Sequence, residues 1–561
     1  MFKPSTHPRL RRCLKRLFIL AGCIAAFYAV EYWRGWRKWT AFRTEWEARG
    51  ENFNRPDIPT IPDDQNAAMA PLMQELTGIW QTHPEWFVQT LSPTAHNRGR
   101  LWDFGKKLEF SPAAGSGRIT RIGECRVSQL AGGAWRESEI ALSGQEAQAA
   151  REILARFGEF TEIIGELDEM LTRPSLALPA SDRNDIIVPT PPHADALYAA
   201  VRALQLRARA SLRLGESAAA FADIERSLQV GKLLIDGRSA NSRSWLMGTS
   251  VLQSAGLVIW EAMLTADLDR EKLEHLQALI DQIDIAPGLL FHLRGIRADD
   301  IEAATSSQAR ARHNEWIETW NRRLPKAFGK NKGYAPFELL RPQGWRYADL
   351  TNRLSDWQEA VFTNADGTIN TDSLTLSMVI AAKQLEEPQS SEPGKLMITL
   401  SEAAARIGIN FRPTATAARS LPGLAQTVFL VERRSFDLSG MLRLTSTAIA
   451  LELFHSDNGS YPKSLSGLVP GYLADPPIDP WDGEQLLHYT IRPGGRPALW
   501  SIGENQVDDK GFLGKHGAGD DIIWHYEIAP DDPDHPDHLA ERDAASALKP
   551  QRKRRKKTAT E

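Results

Sequence analysis

Three cysteines in 561 residues are too few for a disulfide framework, so the fold has to rest on packing. Charge of one sign is scarce too. The 67 Lys and Arg nearly cancel the 71 Asp and Glu, leaving −4, and 42% of the residues are hydrophobic. That balance excludes a wholly disordered acidic chain. There is a single long apolar run, which excludes a multi-span membrane protein. The familiar catalytic signatures are missing: no G-x-S-x-G elbow, no H-E-x-x-H and no G-x-x-x-x-G-K-[ST] loop. No reaction is legible from motifs, although an active site can still assemble from distant residues.

What is present is tryptophan, 17 in all, and an uneven placement of charge. Residues 1–50 hold eleven Lys and Arg against three Glu, a local +8 that leaves −12 for the remainder. The length implies about three or four domains at roughly 100–200 residues each.

The basic start (Lys3, Arg9, Arg11, Arg12, Lys15, Arg16) precedes the apolar run Leu17–Val30. A helix needs about 20 residues to cross a bilayer core. Leu14 through Trp33 reaches that length if Lys15, Arg16 and Glu31 snorkel outward. Tyr28, Tyr32, Trp33, Trp36 and Trp39 then fall where amphipathic rings favour the lipid–water interface. The leading expectation is a single-pass anchor in the bacterial inner membrane, with the N-terminus cytoplasmic and the bulk of the chain periplasmic. Two other readings stay open. Leu20-Ala21-Gly22-Cys23 resembles a lipobox, which would make Cys23 a lipidated N-terminus; a buried helix of a soluble protein is the third. Cys125 is the only cysteine beyond the anchor, so no disulfide is required there.

The chain divides by pattern into a basic anchor segment (1–50), a Pro-rich linker (51–65), a mixed α/β region (66–142) and a helical body (143–430). A C-terminal α+β domain (431–528) and a disordered acidic then basic tail (529–561) follow. Prolines at 56, 59 and 62 make the linker stiff, with Asp63 or Asp64 expected to cap the next helix. Residues 117–130 alternate enough for short strands. Residues 144–172 return to helical period, with Ile153, Phe157, Phe160, Ile163, Ile164, Leu167 and Leu171 on one face. Residues 194–284 read as several helices, 287–325 as a long charged helix containing Trp316 and Trp320, and 326–348 and 386–395 as loops. Leu212, Gly215, Ala220, Ile224 and Leu228 resemble the middle of a tetratricopeptide repeat. No second copy stands at that repeat's period, so a lone helical hairpin is expected.

In the C-terminal domain Asp437 is expected to cap a helix bearing Leu438, Met441, Leu442, Thr445, Ala448, Ile449 and Leu453, which ends at Asp457-Asn458-Gly459. Strands are expected at Leu486–Ile491, Ala498–Ile502 and Ile522–Tyr526, the first two joined at Gly494-Gly495. The carriers of a family likeness are Ala450-Leu451-Glu452-Leu453-Phe454 with Asp457-Asn458-Gly459-Ser460-Tyr461-Pro462, then Leu468-Val469-Pro470 and Tyr472-Leu473. Asp479-Pro480-Trp481-Asp482-Gly483, Tyr489, Ser501-Ile502-Gly503 and Gly519-Asp520-Asp521-Ile522 complete them. In this order they resemble the globular domain of type II secretion system major pseudopilins. The whole chain resembles large membrane-anchored bacterial proteins combining a helical middle with such a terminus. A pseudopilin's own apolar helix runs directly into its globular domain. Here the helical body intervenes, so polymerisation through the N-terminal helix is not expected.

The resemblance implies calcium in the loop between the last strands, where oxygen ligands are needed. The loop offers Glu504, Asn505, Asp508, Asp509, Asp520 and Asp521, with the Ile502 carbonyl nearby. Asn505 stands where the family has aspartate, and the loop is longer than the family's spacing. A calcium site (Ile502, Asn505, Asp508, Asp509, Asp520, Asp521) and a solvated acidic loop are both left open.

Other signals read as ordinary structure. Asn364–Ile369 lacks both anchoring acids of an EF-hand and reads as an Asx-Gly turn. Gly329–Gly333 is a basic loop. His193, His275, His292 and His313 show no metal spacing. Asp299, Asp300 and Glu302 beside Arg294 and Arg297 read as a solvated helix face. The RKRRKK tail (552–557) is not expected to meet nucleic acid if exported. The functional expectation is a membrane-anchored, non-enzymatic envelope protein acting through protein partners, with no small-molecule substrate identified and a link to type II secretion. The alternative is an envelope hydrolase with a cleft between the helical body and residues 84–142.

Overall fold

The computed structural model describes residues 8–57, 60–82, 99–106, 143–177, 192–236, 242–265, 268–309, 311, 342–364, 366–370, 424–492, 495–503, 506–508, 510–511 and 521–525. The expected strands at 117–130, the loops at 326–341 and 386–395, Trp316, Trp320, His313 and the tail lie outside them. So does all of 84–142 except residues 99–106.

The fold is mainly helical. Helix α1 (Pro8–Ala48) is 41 residues long, about 60 Å at 1.5 Å per residue. It ends where Gly50 takes φ +95°. The amides of Gly50 and Glu51 then close on the carbonyls of Glu47 and Trp46, at 3.0 Å each. Only glycine adopts this left-handed cap without strain. Among the described residues α1 is the one helix long and apolar enough to cross a membrane, and none of its apolar window is buried.

A first helical layer follows: α2 (Pro71–Thr82), α3 (Arg100–Lys106), α4 (Ser143–Phe157) and α5 (Thr161–Leu171). The cap expected from Asp63 or Asp64 is instead supplied by Asn66. Its side chain accepts from the Ala68 amide and opens a short 3-10 turn, Ala67–Met69. A second 3-10 turn, Gly158–Phe160, breaks the expected 144–172 helix in two. The expected apolar face survives the break, because Ile153, Phe157, Phe160, Ile163, Ile164 and Leu167 are all buried.

Helices α6 (His193–Arg213) and α7 (Ser217–Asp236) form the expected hairpin. Gly215 turns the chain, with the Glu216 amide donating to Ser211 at 2.9 Å. Helices α8 (Ser242–Thr265), α9 (Arg270–Asp281) and α10 (Ala286–Thr305) continue the body. Helix α11 (Gln343–Ala360) starts inside the stretch expected to be loop. Its apolar positions, Trp345, Leu350, Leu354 and Trp357, are buried.

Helix α12 (Leu424–Asn458) is 35 residues long and runs through the expected 430/431 boundary. Asp437 therefore lies within the helix and does not cap it. The C-terminal end falls as expected, at Asn458 with Gly459 following in positive φ. Strands β1 (His488–Ile491), β2 (Pro497–Ser501) and β3 (Ile522–His525) form an antiparallel sheet in that order, with Tyr489 opposite Leu499 and Leu499 opposite Trp524. Leu499 and Trp524 face the main core, while Ala498, Trp500 and Ile523 pack on the other side.

One core runs without interruption from Leu212, Ile224 and Trp245 of the body to Met441, Leu451, Leu499 and Trp524. The C-terminal domain is thus fused to the body rather than tethered to it. Polar contacts follow the same seam. Arg270 pairs with Asp457, the Gln277 amide donates to the Tyr472 carbonyl at 2.9 Å, and Ser446 donates to Asp281 at 2.9 Å.

Candidate functional site

Helix α1 changes character at Glu31. From Arg12 up to that point its side chains are exposed, Phe18 84% and Ile19 67%, with Phe27 reaching the edge of the Trp345 ring. Beyond it one face is covered by α11. The two helices run in the same direction. The Trp345 indole donates to Glu31 Oε2 at 2.8 Å, the Tyr32 and Tyr347 rings lie 6.0 Å apart, and Lys38 Nζ meets Asn352 Oδ1 at 2.5 Å.

Two glycines set the closeness of this crossing. A Cβ on Gly344 would fall 1.7 Å from the Glu31 carbonyl oxygen, and one on Gly35 would fall 1.8 Å from that of Gly344. No other residue fits without pushing the helices apart. The Glu31 carboxylate also sits at the positive, N-terminal end of α11, which favours a negative charge.

Further along, Trp39, Phe42, Trp46 and Phe53 pack with Tyr347, Leu350, Leu354 and Ala304 into a separate aromatic core. Burying Phe42 and Phe53 contributes roughly 1.5–3 kcal/mol each. Trp39 was expected at the lipid interface and is instead 5% exposed, because α11 covers its face of the helix. Tyr28, Tyr32, Trp33 and Trp36 do remain exposed. The linker is no simple spacer either, since Glu51 and Phe53 are both buried.

Glu51, just past the α1 cap, anchors the centre of the junction. Its Oε1 accepts from Arg297 at 3.0 Å and from Arg294 at 3.3 Å, and its Oε2 accepts from the Gln358 amide at 2.8 Å. Arg297 also donates to the Gln358 side-chain oxygen Oε1 at 2.7 Å and to the Asn52 backbone carbonyl at 2.7 Å. Its guanidinium lies over Phe53 and Phe362, at 4.7 and 4.5 Å. Burial alone would raise the Glu51 carboxyl. The charges and hydrogen bonds of Arg297, Arg294 and Gln358 outweigh burial and hold it below the ordinary range.

The solvated-face expectation for 294–302 therefore fails at Arg297, which is 1% exposed. Asp300 is buried as well, whereas Asp299 stays outside and pairs with Arg55. Local i,i+4 spacing hid this, since the partner of Arg297 lies 246 positions away. The one usable sequence signal was an acid directly after a helix-stopping glycine.

Other charged clusters of the body are structural pairs. Buried Asp223 lies between Arg207 and Arg226, and Arg226 reaches on to Asp168 at 2.5 Å. Glu261 pairs with Arg209 at 3.0 Å and Arg213 at 2.6 Å. His193 and His292 are buried, and burial lowers both rings to about 4. The Thr77 hydroxyl lies 2.9 Å from His193 Nε2. His275 is exposed beside Glu225. Asn364 and residues 366–369 take the expected turn, with the Asn364 amide donating to the Thr368 carbonyl at 2.8 Å and the Gly367 amide to the Asn364 carbonyl at 2.9 Å; Ala365 lies outside the described residues.

Of the expected calcium ligands, Ile502, Asp508 and Asp521 are described, while Asn505, Asp509 and Asp520, with Glu504, lie outside the described residues. Successive amides bring the two aspartates to one turn: Lys510 donates to Asp508 at 2.8 Å and Gly511 to Asp521 at 2.8 Å. Asp508 also accepts from the Trp500 indole at 2.9 Å. Among the described residues no group of three or more His, Cys, Asp or Glu is placed to hold a metal ion. Sequence reasoning missed Asp479 as the organiser of this region. It is fully buried and accepts from Ser501 Oγ at 2.6 Å and from the amides of Ile502 and Trp481 at 2.9 and 3.0 Å.

No family model matches the chain, and neither a curated protein nor a solved structure matches it.

Proposed function

We propose that this protein is a membrane-anchored, non-enzymatic scaffold of the bacterial cell envelope that presents its body to protein partners at a fixed attitude. The observation that carries the reading is the two-part character of α1. Its apolar half is uncovered, and its second half is locked into the body by Gly35, Gly344 and the Glu51–Arg297 pair. A helix that is bare only along its apolar run suits a bilayer, since that surface would otherwise meet water. Rigid fusion suits a scaffold, because an unbroken helix transmits orientation where a flexible linker would not.

The proposed topology is single-pass in the inner membrane, N-terminus cytoplasmic and bulk periplasmic. A link to type II secretion rests on the C-terminal resemblance alone. A calcium ion in the C-terminal loop belongs to the same proposal. Asp508, Asp521 and the Ile502 carbonyl would hold it, with Asn505, Asp509 and Asp520, and it would neutralise the clustered carboxylates.

Alkaline carbonate extraction of membranes tests the anchor: the chain should stay in the pellet, and release into the supernatant sinks the reading. Cys23→Ser should leave attachment intact; loss of attachment would assign Cys23 as a lipidation site. A periplasm-active reporter fused after Pro530 should be active, and cytoplasmic activity would reverse the topology. Chelator should lower the melting temperature of the full chain, and no change would remove calcium.

A further inference from the structure

The depth of α11 relative to α1 says where the body meets the membrane. The apolar run ends at Val30, so the outer boundary of the hydrocarbon falls near Glu31, the first charged residue after it. Trp345 is fixed at that level by two contacts. Its indole bonds the Glu31 carboxylate, and its ring packs edge-on against Phe27 at 6.0 Å. Phe27 lies four residues further into the apolar run, about 6 Å deeper along the axis. The Trp345 ring therefore spans the last helical turn of the apolar segment. A bilayer that covers Phe27 also reaches the first turn of α11.

The surroundings at this level suit the headgroup–carbonyl region of a phospholipid bilayer. Tyr28, Tyr32, Trp33 and Trp36 are exposed around α1. Arg34 is largely exposed, and the Arg37 guanidinium stacks over Trp33 at 5.4 Å. Aromatic rings with adjoining arginines are the side chains that partition into this zone. Helix α11 points its N-terminus toward the membrane, which presents the positive end of its dipole to headgroup phosphates. The end of α10 is drawn to the same place, because the Gln343 amide donates to the Ala304 carbonyl at 2.6 Å.

We propose that Gln343 and Arg346 in the first turn of α11, with Tyr32, Trp33, Arg34, Trp36 and Arg37 of α1, form a lipid-contacting collar that seats the body directly on the phospholipid surface, while the buried Trp345 holds the two helices together behind it. The occupant is the bilayer interface, argued from continuity with the bare apolar helix; the inference rests on the membrane reading above. The body then has one tilt relative to the membrane, set by the α1–α11 crossing, and offers partners only the faces turned away from the collar.

The test uses the full chain in phospholipid nanodiscs, in a background with Cys13, Cys23 and Cys125 replaced by Ser. Single cysteines at Phe18, Arg346 and Arg270 carry a bimane fluorophore, and lipids with a nitroxide near the acyl carbonyl act as quencher. Phe18→Cys and Arg346→Cys should both be quenched severalfold more than Arg270→Cys. Quenching at Phe18 with Arg346 no different from Arg270 overturns the collar and leaves the membrane reading standing. No quenching at Phe18 overturns both. Gln343→Cys repeats the reading should the Arg346 variant fail to fold, with the same two outcomes.

Discussion

Replacing Glu51 by Gln removes one charge from the centre of the junction while keeping its shape. In the native protein the carboxylate is acceptor for four donors, from Arg297, Arg294, Gln358 and the Asn52 backbone amide. An amide at position 51 has one acceptor and one donor end. Whichever way it turns, its NH2 meets either the Gln358 NH2 or the two arginines. Gln358 cannot flip to relieve this, because its own oxygen already accepts from Arg297. Arg297 is left buried and charged without a counter-ion, the situation that costs about 3–5 kcal/mol. Denaturant titration of the detergent-solubilised chain, followed by tryptophan fluorescence, should show the midpoint fall accordingly. The triple variant Glu51→Met, Arg297→Met and Gln358→Leu, which leaves no buried side-chain amide stripped of its partners, provides the control. Both Met side chains can pack against Phe53 and Phe362, and removing the two charges together should restore stability or raise it by about 1–4 kcal/mol. The acid limb checks the same pair. A carboxyl held below its ordinary value of 4.5 contributes stability that is complete above that pH and lost as the pH falls through its lower folded value. Wild type should lose this increment below pH 4.5, and Glu51→Gln should not. A loss under about 1 kcal/mol for the single variant, the range of solvent-exposed pairs, would refute the argument that this pair is shielded.

Three further outcomes are expected. Gly344→Ala should force α1 and α11 apart, costing about 1–3 kcal/mol for overpacking, and should loosen the Trp345–Glu31 bond; unchanged protease resistance around residues 31–48 would count against the crossing. His193 and His292 bind protons only near pH 4 when folded but near 6.5 when unfolded. Stability should therefore decline as the pH falls from 6.5 to about 4, by about 3 kcal/mol for each histidine; His292→Leu should flatten that slope, and an unchanged slope would refute the assignment. Asp479→Ala should leave the buried amides of Trp481 and Ile502 unpaired, at about 1–3 kcal/mol each; amide exchange in β2 that stays as slow as in wild type would show that the carboxylate is dispensable.

Features written in short-range chemistry were legible without coordinates. The apolar run after a basic start, the Gly215 turn, the stop at Asn458-Gly459 and the three C-terminal strands each depend on residues a few positions apart. Periodicity and turn chemistry report such features directly. The Asn66 cap was missed because Asp63 and Asp64 are equally good cap residues by type. What decided for Asn66 was its second attachment, a hydrogen bond to the Ala177 carbonyl far along the chain. Helix α11 was missed at its start because Pro342 and Gly344 read as loop. Gly344 is there for the crossing with α1, a demand that no local pattern displays.

By itself the sequence determined that there is one candidate membrane helix, a helical body, a small terminal sheet and no disulfide framework, since composition and local spacing suffice for each. Tertiary structure alone decided that α1 is half bare and half locked, that Trp39 is core, and that Arg297 is buried. It also decided that α12 carries the sheet into the body's own core. Each of these depends on what covers a residue. Cover is supplied by segments hundreds of positions away, where i,i+3 and i,i+4 spacing has no reach.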